Sequence, residues 1–226
     1  MVESLNIKAV IFDLDGTLVK FTLDFVKARK EAIVEIKRKG IKIDDLSEKL
    51  SIYSMLKMIK ESTDEKTFSD LEKSLWAILE KIELKAANET EIQPDTIQTL
   101  TKIKKLGLKM AIVTNNGSKA TSIVTKRFGL NNFFDVIITR EDSSELKPDG
   151  GSIEKAMEIL GINSNEAIYV GDGIIDILAA KKANVVSIAV PTGVSSIKNL
   201  IEAKPDYLIN SLKDIISLID LLKAKQ

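Results

Sequence analysis

Short apolar runs rich in Val, Ile and Ala alternate along most of this chain with segments long enough to form helices, and that alternation narrows the fold more than any other feature. The runs lie at 9–12, 110–113, 136–139, 167–170 and 185–190, with a sixth at 207–209. They are apolar at nearly every position, as strands buried on both faces are. Between them, 95–106, 118–128, 152–160, 175–183 and 212–222 repeat apolar residues every three or four positions, the period of an amphipathic helix. Gly107, Gly129 and Gly161 follow three of these segments, where a left-handed residue commonly ends a helix. Strand and helix in alternation predict an α/β fold, a Rossmann-like parallel sheet with helices on both faces.

The rhythm stops between 21 and 90. Residues 24–39 and 45–60 each read as amphipathic helices, the first closed by Gly40. Ser62 followed by Glu65 reads as a capping box, opening a longer helix through Trp76 to the neighbourhood of Leu84. An all-helical insert is therefore expected at 21–90, dividing an α/β core made of 1–20 and 91–226. Hinges are expected at 19–22 and 88–94.

Composition removes whole classes of chemistry. The chain has no cysteine, which excludes disulfides, thiolate catalysis and Cys-ligated metals. It has no histidine, which excludes imidazole bases, Ser–His triads and His-ligated zinc or iron. Lys plus Arg number 33, equal to Asp plus Glu, and the helical insert is balanced too. No field draws in nucleic acid or an anionic membrane, so neither is expected as a partner. No apolar stretch reaches the roughly 18 residues of a membrane-spanning helix, and the N-terminal residues carry no secretory pattern. A cytoplasmic protein, monomeric or weakly dimeric, is expected.

The polar residues fall where the strands end. The first run leads into Asp13, Leu14, Asp15, Gly16 and Thr17; the second into Thr114 and Asn115; the fourth into Gly171 and Asp172, with Asp176 beyond. Lys147 lies in the loop after the third run. Open α/β sheets bind ligands just outside the carboxyl ends of their strands, so these groups are expected on one rim. Asp13 and Asp15, two apart, would share a face if the strand continued, and with Asp172 they would bring three carboxylates to one point. Acids that close repel unless a cation lies among them, and an all-oxygen set suits a hard ion such as Mg2+. Lys147, Thr114 and nearby amides would supply the other half, a cradle for phosphate oxygens. A carboxylate beside such a cation and a bound phosphate is a reasonable nucleophile, and a second carboxylate can act as acid and then base.

These residues resemble the motifs of the haloacid dehalogenase-like phosphatases, close to the phosphoglycolate-phosphatase type. The stretch from Asp13 to Leu18 is similar to the first motif, Thr114-Asn115 to the second, Lys147-Pro148 to the third, and Gly171-Asp172 with Asp176 to the fourth. The resemblance covers nearly the whole chain and implies a magnesium-dependent phosphatase acting on a small phosphorylated metabolite. It implies that Asp13 attacks phosphorus and ligates the metal. It implies that Asp15 is the acid and base and offers its carbonyl to the metal. Thr114, Asn115 and Lys147 would hold phosphate oxygens, with Lys147 also neutralising charge. Asp172 would be a metal ligand, with Asp176 supporting it or Lys147, while Gly16 and Thr17 shape the first loop. The helical insert resembles a cap that closes over the site and selects substrate. Two departures stand out: Asp149 and the two glycines after it replace a frequent second proline, and Gly173 replaces a frequent Ser or Thr.

Each residue also has a plainer reading. Asp13 to Thr17 could be a tight turn, Asp172 a helix cap and Lys147 a solvated lysine. Trp76, Tyr53, Met55 and Met58 read as packing within the insert, and Lys20, Lys27 and Arg29 as solvated surface. A sugar phosphomutase or an inorganic pyrophosphatase on the same scaffold are the alternative activities; the mutases that resemble this chain use a cap histidine, which it lacks. A phosphorylated receiver domain is disfavoured because its acids come in a different strand order.

Overall fold

The computed structural model describes residues 6–224. They form two compact units: one takes in the chain up to Phe21 and from Thr90 onward, the other is Thr22–Glu89.

The first unit is a six-stranded parallel sheet in the order β3-β2-β1-β4-β5-β6. The strands are β1 (Ala9–Phe12), β2 (Lys109–Val113), β3 (Val136–Ile138), β4 (Ala167–Gly171), β5 (Val186–Ala189) and β6 (Tyr207–Leu208). β1 and β4 are buried at every position, because helices lie over both faces. On one face Ala9, Ile11, Ala111, Val113 and Tyr169 pack with Ile153, Ala156, Ala179 and Ala180 from α6 (Gly151–Leu160) and α7 (Ile174–Lys182). The small residues of α7 let its backbone come close to the sheet. Residues of the other parity, such as Val10, Phe12, Ile112 and Val170, are equally buried, so the second face is covered as well. The other helices of this unit are α4 (Thr96–Lys105), α5 (Ser118–Arg127), α8 (Ile197–Glu202) and α9 (Ile215–Lys223). Gly107, Gly129 and Gly161 have φ of 70°, 66° and 65°, the left-handed conformation read from their positions. Periodicity predicts no α8, which is too short to show it; its start is set by Ser196, whose hydroxyl accepts from Asn199 N.

The second unit holds α1 (Phe25–Arg38), α2 (Ile52–Ser62) and α3 (Glu65–Glu89). Ala28, Ala32 and Ile36 line the buried stripe of α1, and Leu71, Leu75 and Leu79 that of α3. Met55 is fully buried, whereas Tyr53, Met58 and Trp76 are only half-buried.

Two local expectations are corrected here. The second helix does not begin at 45: Asp45 has φ 63°, which breaks a right-handed helix, and Ser51 caps the start by accepting from Ser54 N. The capping box at Ser62 and Glu65 does not form either. Ser62 closes α2, its hydroxyl donating to Met58 O, and Asp64 opens α3 by accepting from Thr67 N at 3.0 Å. α3 then runs on to Glu89, past the end read from the pattern, because buried Ile82, Ala86 and Ala87 continue its stripe.

Candidate active site

In the strand order of this sheet, β1 and β4 are the neighbours at which the chain changes direction of winding, and the crevice beyond their carboxyl ends is the expected ligand position. Asp13 directly follows β1, and its amide still bonds to Val170 O of β4 at 2.9 Å. Asp172 directly follows β4. Thr114 follows β2, held by its amide to Ile138 O at 3.0 Å. Asp176 sits in the first turn of α7 and accepts from Gly173 N at 2.9 Å, so it also caps that helix.

Lys147 joins these elements. Its ammonium donates to Asp13 Oδ1 at 2.5 Å, Asp176 Oδ1 at 2.7 Å and the Tyr169 hydroxyl at 3.0 Å. The Tyr169 hydroxyl in turn donates to Asp176 Oδ1 at 3.1 Å. All four side chains are buried. The Lys147 backbone is clamped by Asn115, whose Nδ2 donates to Lys147 O at 2.8 Å and whose Oδ1 accepts from Lys147 N at 3.0 Å.

Asp172 is enclosed by loops from opposite ends of the chain. Thr17 Oγ1 donates to its Oδ1 at 3.2 Å and Val194 N to its Oδ2 at 2.8 Å. Gly16 has φ 87°, and a Cβ there would come within 2.5 Å of Asp172 Cγ, so the backbone conformation and the close approach both demand glycine.

Burial dominates the electrostatics. It pushes Asp13 up to about 8, with Lys147 pulling the other way and Asp176 and Asp172 adding to the rise. Burial likewise pushes Asp172 up to about 7, reinforced by Asp176. Burial opposes the charge on Lys147, yet the fields of Asp13, Asp176 and Tyr169 hold its ammonium well above the ordinary lysine value. Three acids thus share one buried cation. Carboxylate oxygens of Asp13, Asp172 and Asp176 all lie within 4.8 Å of one another. An oxygen-only set, crowded and short of positive charge, fits a hard divalent cation such as Mg2+.

The third acid of this cluster is Asp176, where the sequence pointed to Asp15. β1 does not continue past Phe12; the chain turns, with Leu18 N and Val19 N both bonding to Leu14 O, so alternation does not carry Asp15 to the Asp13 face. The Asp15 carboxylate instead accepts from Asn116 Nδ2 at 2.5 Å. The Asn115 side chain, expected at phosphate, is spent on the Lys147 loop. Thr114 Oγ1 accepts from Asn116 N at 3.2 Å and is buried.

Sequence reasoning missed Tyr169, Asn116, Gln93, Thr192 and the Val194 amide. Tyr169 had a usable signal, a phenol inside a wholly buried run. Gln93 and Thr192 had none, since the contacts they make span 77 and 176 residues.

Known proteins are similar to this chain along most of its length. The family model described as haloacid dehalogenase-like hydrolase matches residues 10–190. A relative named "Putative pyrophosphatase PpaX", from Caldanaerobacter subterraneus subsp. tengcongensis, is 30% identical over 221 residues, covering 95% of this chain and 96% of the relative. A glyceraldehyde 3-phosphate phosphatase from Methanocaldococcus jannaschii is 31% identical over 232 residues, covering 96% and 99%. Among solved structures, a hydrolase from Pseudomonas syringae superposes with a TM-score of 0.70 over 95% of this chain and 98% of its own, at 24% identity, a likeness of fold.

Proposed function

From the premise that this chain belongs to the haloacid dehalogenase-like hydrolase family, we propose that it is a magnesium-dependent phosphatase that removes phosphate from a small metabolite through a phosphorylated Asp13. The observation that carries the proposal is the buried contact of Lys147 with both Asp13 and Asp176, beside Asp172, at the β1/β4 crevice. In that contact the carboxylate of Asp13 is desolvated and aimed, which is what a nucleophile needs.

Asp13, Asp172 and the Asp15 carbonyl would hold the cation, with Asp176 fixing Lys147. When bound, Mg2+ supplies positive charge that keeps Asp13 ionised and offsets the phosphoryl oxygens. An Asp13 carboxylate oxygen attacks phosphorus, and the bond from phosphorus to the ester oxygen breaks. Asp15 gives the leaving oxygen its proton. Lys147 and Thr114 bind the equatorial oxygens as charge spreads over them. Asp15 then takes a proton from the water that attacks the acyl phosphate, releasing inorganic phosphate and restoring Asp13. Asn116 keeps the Asp15 carboxylate in one orientation through both steps.

The two relatives carry different substrates in their names, one a phosphate monoester and the other pyrophosphate. The motifs resemble those of phosphoglycolate phosphatases. We take a small phosphate monoester as the first reading and pyrophosphate as the second, favoured by that relative. The test is a panel of 2-phosphoglycolate, glyceraldehyde 3-phosphate, sugar phosphates and pyrophosphate with Mg2+, scored by released phosphate. Asp13→Asn should lower turnover by about 10³-fold or more while leaving the circular dichroism spectrum unchanged. Magnesium-dependent release that survives this substitution would refute the nucleophile, and an isomerised sugar phosphate without free phosphate would indicate a mutase.

A further inference from the structure

The carbonyl oxygen of Gly16 receives two side-chain donors from distant parts of the chain. Thr192 Oγ1 donates to it at 2.5 Å and Gln93 Nε2 at 3.4 Å. The same Gln93 amide donates to Thr192 O at 3.0 Å. Gln93 is buried, and its backbone is fixed independently, its amide bonding to Leu18 O at 3.0 Å. The next residue after Thr192, Gly193, lies so close to Asp172 that any Cβ would overlap the carboxylate. Val194 N then donates to Asp172 Oδ2, while Thr17, next to Gly16 on the other side, donates to Oδ1.

Asp172 therefore sits between two loops, 16–17 and 192–194, each holding one of its carboxylate oxygens. Nothing in the sheet ladder ties these loops to each other, since both lie beyond the ends of their strands. The contact of Thr192 and Gln93 with Gly16 O supplies that tie. A shift of one loop would pull one donor from Asp172 and move the carboxylate relative to Asp13.

We propose that Thr192 and Gln93 are positioning residues for the cation site: they strap the Gly16 peptide to the 192–194 loop and so set where Asp172 presents its oxygens. The proposal rests on the reading of Asp13 and Asp172 as cation ligands. The Thr192 hydroxyl is the stronger member by distance. Its loss leaves Gly16 O with the longer Gln93 contact alone and frees the loop that carries Val194.

The experiment measures Mg2+ binding directly, by calorimetric titration of the substrate-free protein, for wild type, Asp172→Asn, Thr192→Val, Thr192→Ser and Gln93→Leu. Asp172→Asn is the control for the underlying reading and should abolish binding. Thr192→Val should weaken binding by about tenfold, the scale of one buried hydrogen bond, and Gln93→Leu by less. Thr192→Ser, which keeps the hydroxyl, should stay within about twofold of wild type. Thr192→Val is close in volume to the native residue, and its melting temperature without Mg2+ reports whether the fold is intact. In kinetics, Thr192→Val should raise the Mg2+ concentration for half-maximal activity while leaving substrate KM at saturating Mg2+ unchanged. If Asp172→Asn loses Mg2+ and Thr192→Val binds it like wild type, the strap is overturned and the cation site stands. Thr192→Ser as weak as Thr192→Val also overturns the strap. Wild-type binding by Asp172→Asn overturns the site itself, and the strap with it.

Discussion

At the scale of single residues, Lys147 ties the acids of the candidate site together. Its ammonium is the one positive charge bonded to Asp13 and Asp176 among the described residues. Removing one partner of a buried pair leaves charge with no compensation, at about 3–5 kcal/mol. Lys147→Met is expected to lose stability of that order near pH 8, because without the ammonium the buried Asp13 carboxyl is pushed up further and must keep a proton that the unfolded chain gives up, and to lose less near pH 5.5. Urea titrations of both proteins at the two pH values read the difference. An equal loss at both would mean that Lys147 does not hold Asp13 toward its ionised form. Gly16 is constrained for a different reason, by positive φ and by the Asp172 carboxylate pressed against it. Gly16→Ala is expected to displace Asp172 and abolish Mg2+ binding, measured by the same calorimetric titration, at a modest stability cost of about 1–2 kcal/mol for the backbone. A variant that folds and binds Mg2+ normally would contradict the close approach.

At the scale of elements, the break between α2 and α3 separates two readings of one short sequence. Asp64 accepts from Thr67 N and takes a second bond from the Thr67 hydroxyl at 2.6 Å, while Ser62 bonds back to Met58 O within α2. Bonds from the Thr67 hydroxyl and then its backbone amide hold the Asp64 carboxyl below its ordinary value, as expected for a charged cap at a helix N-terminus. Asp64→Ala should lower the melting temperature measurably, as loss of an N-cap does, and Ser62→Ala barely, since back-bonding within a helix contributes little. Thermal unfolding of the two variants decides between them. A larger loss from Ser62→Ala would restore the capping box that periodicity suggests.

At the scale of the whole molecule, the acid cluster links folding, protons and metal. Asp13 and Asp172 are pushed up to about 8 and about 7 in the folded protein, against an ordinary aspartate value of 3.8. Between about pH 4 and 8 the folded state therefore holds more protons than the unfolded one, and stability without metal falls as pH rises. Lys147 has the same sign in a higher window: its raised value adds stability that is lost only as pH rises above the ordinary lysine range. Mg2+ must displace the same protons, so its stabilising effect should grow with pH. Calorimetric scans with Mg2+ and with chelator are expected to show a small difference in melting temperature near pH 5.5 and a larger one near pH 8. A difference that shrinks toward pH 8 would mean that these acids do not take the ion. No helix among the described residues is long and apolar enough to cross a membrane, and the net charge of zero gives no long-range field.

The amino-acid sequence by itself determined the strands, most of the helices of the α/β unit and the rim where the candidate polar groups lie. Those features rest on period and on runs of apolar residues, which are local and survive in one dimension. Asp13, Thr114, Lys147 and Asp172 were legible because each follows a strand-like run or sits in a loop after one. Only the tertiary structure decided that Asp176 joins Asp13 and Asp172 while the Asp15 carboxylate turns to Asn116, because the turn after Phe12 ends the alternation on which the other reading depended. Only it could show Tyr169 beneath Lys147, or Gln93 and Thr192 meeting at Gly16 O. A hydrogen bond between residues far apart in the chain leaves no periodic trace in either segment, so packing must bring them together before the contact has any meaning.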